Sequence, residues 1–167
     1  MPVRPVLRFP HPALKRKAPS LPSREQARLE RVARDLIDTM RAHKGCVGLA
    51  APQIDEVVRV VVVDVTEHPR AATSNGLVVL VDPSVVEADG SEVAREGCLS
   101  IPDLTANVRR ATRIAVEGKR PSGDAYRFES AGFEARCLLH EIDHLDGVLF
   151  MDRVDSLTAD VFRRKRY

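Results

Sequence analysis

The segment His140-Glu141-Ile142-Asp143-His144 constrains the fold of this chain more than any other. It reads as helix, and on a helix residues four apart lie one above the other. Both imidazoles can then reach one metal ion, while Glu141 sits beside them without having to be a ligand. Its neighbours Leu138, Leu139, Ile142 and Leu145 are apolar, so much of this helix is expected to be buried. Burying two histidines and a glutamate without a task is costly. The rest of the fold must therefore wrap around a polar helix and bring it one more ligand.

That ligand can come from Cys98 or Cys137. Cys137 lies three residues before His140 on the same face, but Cys137, His140 and His144 would span about 10 Å of helix axis at roughly 1.5 Å per residue. Metal–ligand bonds are only about 2.0–2.3 Å, so three ligands along one stripe converge poorly. Cys98, in the Gly-containing bend Glu96-Gly97-Cys98-Leu99-Ser100 after a strand, can approach from the side. Cys137 is then a packed thiol in the wall of the site.

Composition narrows the alternatives. The 167 residues suit one domain, 1–167, with a core that needs no staples. The core must be mostly aliphatic, because Trp is absent and only 4% of residues are aromatic. A net charge of +2 provides no global drive toward DNA or an anionic membrane. No apolar run approaches membrane-span length, and Met1 to Pro10 lacks the apolar region of a signal peptide. Three cysteines in no disulfide-like spacing fit a reduced, cytoplasmic setting.

Residues 1–22 read as an ordered arm laid over the surface. Ser23 and Gln26 form a capping-box pattern before Leu29, Val32, Leu36, Ile37 and Met40 at helical spacing, and Gly45 is a stop. The turn Gly48-Leu49-Ala50-Ala51-Pro52-Gln53 follows. Strands are expected over 57–65, 77–86, 92–94, 113–117 and 125–129. Ser130 is a plausible cap for the histidine helix and Gly147 is placed to end it. A short last helix is expected from Ser156 to Arg163-Arg164-Lys165-Arg166. The expected class is α+β, with small mixed or antiparallel sheets packed around a central metal-binding H-E-x-x-H helix.

Three segments carry a family resemblance: Gly48 to Gln53, Glu96 to Ser100 and His140 to His144. In content and order they resemble the three signature motifs of the peptide deformylases, and the stretch Phe9 to Ala18 resembles that family's N-terminal arm. The chain differs in having Cys46 where the family usually has Gly, and Leu139 where it usually has Gln. Neither change removes a ligand or the base.

The resemblance implies hydrolysis of the formyl group from the N-terminal formylmethionine of nascent polypeptides, with release of formate. Metal-assisted amide hydrolysis also follows from the residues. Cys98, His140 and His144 leave a fourth position for water, and Glu141 is placed to take its proton and deliver it to the leaving amine. By the family pattern, the Gln53 carboxamide and the Leu99 backbone N–H stabilise the developing oxyanion. Val47, Gly48, Phe133, Cys137 and the stem of Arg136 line a pocket for the methionine side chain, and Glu96 pairs with Arg110. The resemblance implies Fe2+ as the physiological ion. Zn2+, Ni2+ or Co2+ suit the same ligands, and affinity does not choose among them.

Two other readings compete. A zinc peptidase would take a third ligand well downstream, but the 23 residues after His144 contain no His or Glu, leaving Asp146, Asp152, Asp155 and Asp160. A non-catalytic zinc-stabilised domain would tolerate loss of Glu141. The basic C-terminal end could make a transient contact with ribosomal RNA, although cations at a solvated helix end also suit the helix dipole.

Overall fold

Valine dominates the two runs after the Gln53 turn, and both form the middle of a sheet in the computed structural model, which describes residues 2–165. In chain order the elements are α1 (Gln26–Ala42), β1 (Gly48–Ala50), β2 (Val60–Val63), β3 (Val78–Asp89), β4 (Glu92–Cys98), β5 (Ile101–Arg110), β6 (Arg113–Lys119), β7 (Ala125–Ala131), α2 (Gly132–Leu145) and β8 (Val161–Arg163). Five strands form one sheet in the order β1-β2-β3-β6-β7, and three form a second in the order β4-β5-β8. Every pairing is antiparallel. The class is α+β, as expected, with the histidines on α2.

The four valines of β2 are all buried because the strand has a helix on each face. Successive side chains point to opposite sides. Val60 and Val62 join Leu29, Val32, Leu36 and Met40 of α1, while Val61 and Val63 join Ala135, Leu138, Ile142 and Leu145 of α2. A continuous apolar run is what burial on both faces requires. A third, smaller cluster under the second sheet contains Cys98, Ala106, Val108 and Phe150.

The arm runs across the first two motif segments and the end of α2. Leu7 N–H donates to the Gln53 carbonyl (2.7 Å), Phe9 N–H to that of Ser100 (2.9 Å) and Ala18 N–H to that of Leu145 (2.8 Å). Its own Ala13 and Leu14 are buried. Gly147 ends α2 as expected, at φ +72°, with the Lys15 carbonyl oxygen 2.6 Å from where a Cβ would stand.

Several expectations are corrected. Ser23 does not cap α1. It opens a short 3₁₀ turn whose Ser23 carbonyl accepts the Gln26 N–H, and Gln26 turns outward to Glu30 and the Ser122 carbonyl. Ser130 is not a cap either, because its hydroxyl donates to Glu134 (2.7 Å). Strand β5 lies outside the expected strands, since Pro102, Asp103 and Asn107 are poor strand formers; pairing with β4 at Ile101 and Thr105–Arg110, and with β8 at Leu104–Ala106, overrides that preference. The expected last helix is instead a turn at Ser156, followed by β8 on the free edge of β5. Val161 and Phe162 favour extended structure, and an open edge offers them partners. Arg166, at the basic end, lies outside the described residues.

Candidate metal centre

Helix α2 places His140 and His144 one turn apart, and β4 ends at Cys98 opposite them. The three are buried and their ligating atoms lie within 4.8 Å of one another. Cys98 Sγ is 3.4 Å from His144 Nε2. Burial pushes the Cys98 thiol up, but His144 and His140 outweigh it and hold it well below the usual thiol range. A thiolate is the form that binds metal.

Strand β4 also supplies the partner of a histidine. Residues two apart on a strand share a face, so Glu96 reaches the helix beside Cys98. Its Oε1 lies 2.8 Å from His140 Nδ1. An ionised carboxylate only accepts, so Nδ1 carries the proton and Nε2 keeps its lone pair for a metal. Arg110 grips Glu96 in a bidentate pair (2.9 Å each) and Arg136 adds a third bond (2.7 Å). Burial pushes the Glu96 carboxyl up, but the bonds from His140 and Arg110 hold it below the usual carboxylate range.

The expected Glu96–Arg110 pair is thus present, and it extends further than expected. Arg110 also bonds Asp143, the fourth residue of the pentapeptide, which accepts two bonds from Arg153 (2.9 and 2.8 Å). Nothing in the local sequence marks Asp143, because its partners arrive from β5 and from the turn after α2.

Glu141 and His144 each leave a polar atom, Oε2 and Nδ1, buried and without a hydrogen bond among the described residues. Burial pushes the Glu141 carboxyl up to about 7, against the opposing pull of His140 and His144. One thiolate, two imidazoles and an unsatisfied carboxylate beside them fit a divalent metal with an open position. Cys137 is not in the group. It is buried at the wall, and that burial pushes its thiol up.

A cavity of about 390 Å³ adjoins this centre, lined in part by Gln53, Leu99, Glu141 and the expected Val47, Gly48, Phe133, Arg136 and Cys137. Gly48 is packed so close that a Cβ there would lie 2.7 Å from Glu141 Oε1. Gln53 is fixed through its carbonyl, which accepts from Ala50 N–H (3.0 Å). Its amide donates to Ser100 Oγ (3.1 Å) and faces Cys98 Sγ at 3.5 Å. Only the stem of Arg136 is available to the cavity, because its guanidinium is engaged by Glu96 and by the Val108 and Glu92 carbonyls. Cys46 does not adopt positive φ, so its backbone does not need the usual glycine; its thiol donates to the Gly48 carbonyl (3.2 Å). Leu139 packs against the α2 core. Sequence reasoning missed the loop that brings His68 onto the Phe133 ring, stacked at 4.3 Å.

The model of the polypeptide deformylase family matches residues 3–160. The chain belongs to that family. It is accordingly a hydrolase, and family and fold together support deformylation of nascent peptides. The peptide deformylase of Thermodesulfovibrio yellowstonii is 36% identical over 160 residues, covering 96% of this chain and 94% of that one. That of Heliobacterium modesticaldum is 41% identical over 151 residues, covering 90% and 93%. Among solved structures, the Thermotoga maritima peptide deformylase superposes with a TM-score of 0.83 at 34% identity, covering 93% of this chain and 100% of that one. The class I type b peptide deformylase of Acinetobacter baumannii bound to Met-Ala-Ser gives 0.84 at 33%, covering 92% and 99%.

Proposed function

We propose that this chain removes the formyl group from the N-terminal formylmethionine of nascent polypeptides and releases formate, using one divalent metal held by Cys98, His140 and His144. The observation that carries this reading is the meeting of the Cys98 sulfur of β4 with the two α2 imidazoles beside Glu141, next to a cavity with a partly apolar wall. When bound, the metal supplies Lewis acidity and lowers the pKa of water toward neutrality.

The remaining roles belong to the chain. Glu141 takes the proton of the attacking water and hands it to the leaving amine. Glu96 keeps His140 in the tautomer and orientation that a ligand needs. The formyl oxygen gains charge as its carbon becomes tetrahedral, and two donors would meet it: the Gln53 amide, through the hydrogen now facing Cys98 Sγ, and the Leu99 backbone N–H. One such donor contributes about 2.7–4 kcal/mol in the transition state. The methionine side chain occupies the space bounded by Val47, Gly48, Phe133, Cys137 and the Arg136 stem. The whole of 1–167 acts as one catalytic domain in the cytoplasm, with Fe2+ as the working ion and Zn2+, Ni2+ or Co2+ as substitutes.

The test is formate release from formyl-Met-Ala-Ser by anaerobically purified protein, with metal analysis of the same sample. Formate release with about one bound metal per chain is expected. Cys98→Ala is expected to lose both metal and turnover. Retention of both would overturn this ligand set and return the peptidase reading.

A further inference from the structure

The cavity mouth is basic although the chain as a whole is nearly neutral. Lys44 follows α1, Arg70 lies between β2 and β3, Arg95 is on β4 and Arg164 follows β8. All four are exposed and all line the cavity. Three of them are held in place. The Arg70 guanidinium lies 4.6 Å over the Phe133 ring and donates to the Arg95 carbonyl (3.1 Å). Arg95 lies 3.8 Å over Phe162 and donates to Asn107 Oδ1 (3.1 Å) and Thr105 Oγ1 (3.2 Å). The Arg164 guanidinium rests against Gly97, in space that a Cβ would claim.

Their partners are neutral. Among the described residues none of the four pairs with a carboxylate, whereas Arg110, Arg127, Arg136 and Arg153 all do. The carboxylates lining the same cavity are Glu96, already engaged by two arginines, and Glu141 at its inner end. Fixed, unneutralised cations around a cleft raise the local concentration of anions there. Arg70 and Arg164 lie against the cavity wall, which favours a ligand that enters the cavity over a polyanion spread across an outer face.

We propose that Lys44, Arg70, Arg95 and Arg164 select formylated chains that carry carboxylates in the residues just after the first methionine. This rests on the deformylase reading above. With the methionine side chain against Phe133 and Cys137, the following residues leave the cavity at about 3.3–3.6 Å each and so pass the four cations.

The experiment compares kcat/KM for C-terminally amidated formyl-Met-Asp-Asp, formyl-Met-Ala-Ala and formyl-Met-Lys-Lys, with formyl-Met-Ala-Ala bearing a free carboxylate as a fourth substrate. At low salt the Asp peptide is expected to exceed the Lys peptide by ~10-fold or more, and the ratio to fall toward one at 1 M salt as screening shortens to about 3 Å. A gain for the free carboxylate alone would assign the rim to chain ends and overturn the selection of side chains. The Asp-to-Lys ratio is expected to collapse in Arg70→Gln and Arg164→Gln but not in Lys17→Gln, which removes the same charge from the exposed arm. A ratio near one at low salt, or one that the rim variants leave intact, overturns the proposal. So do rim variants that lose co-sedimentation with ribosomes while keeping the ratio. Formate from none of the peptides would instead sink the deformylase reading, and the selection with it.

Discussion

A single hydrogen atom in place of a side chain at residue 48 fixes where the base sits. A Cβ there would meet Glu141 Oε1 at 2.7 Å and Cγ at 3.0 Å. Both belong to a side chain rather than to backbone, so the glutamate can turn aside and the fold can stay intact. Gly48→Ala is therefore expected to cut turnover of a formyl peptide, by up to ~10²-fold as displacements near 1 Å do, with little change in thermal midpoint. Unchanged turnover would mean that Gly48 does not set the position of Glu141. Much of the centre was legible at this scale. The two histidines and Glu141 are marked by spacing, and helix geometry favours Cys98 over Cys137. Asp143 was not legible, since a carboxylate between the histidines looks incidental until Arg110 and Arg153 arrive from elsewhere in the chain.

Among the elements, α1 and β2 were legible because the periodicity of each matches its burial. The strand β5 and the β8 edge were hidden, because cross-strand pairing rather than composition makes them extended. Two junctions yield predictions. Glu56 accepts bonds from Arg28 (3.0 Å) and Arg31 (3.1 Å) of α1 and is largely buried. Burial raises its carboxyl, but those bonds outweigh it and hold it below the ordinary value of 4.5. A lowered pKa in the folded state stabilises above the unfolded value, and that contribution fades as pH falls through the folded one. Glu56→Gln should lower the urea midpoint at pH 7, and the difference from the parent should shrink as the pH drops below 4.5. A difference that is constant with pH would exclude a charge effect. Gly147→Ala adds a Cβ at φ +72° against the Lys15 carbonyl, which is backbone and cannot swing aside. A loss on the order of 2–4 kcal/mol in denaturant stability is expected; a loss under about 0.5 kcal/mol, the range of ordinary surface changes, would show that the arm moves freely.

For the molecule as a whole, net charge concealed the basic cavity mouth, because a total says nothing about where paired and unpaired cations lie. The proposed ligands join the second sheet to α2, so a metal bound only by the folded chain stabilises all of it. At a hundredfold excess over Kd this amounts to about 2.7 kcal/mol. Chelation is expected to lower the melting temperature of the parent protein, and Cys98→Ser to abolish that shift; a chelator-insensitive melt would argue that the centre is not loaded.

The arm has a consequence in time. Its bond from Ala18 to Leu145 joins residues about three quarters of the chain apart. Loops that long close at an entropic cost, and contacts of such separation form slowly. During synthesis the arm leaves the ribosome before α2, so the Ala18 bond cannot form until α2 follows. On refolding, formate release should therefore return after the helical signal has recovered, and simultaneous recovery would rule this out. A segment made ahead of both sheets is then not fully in place until α2 has formed.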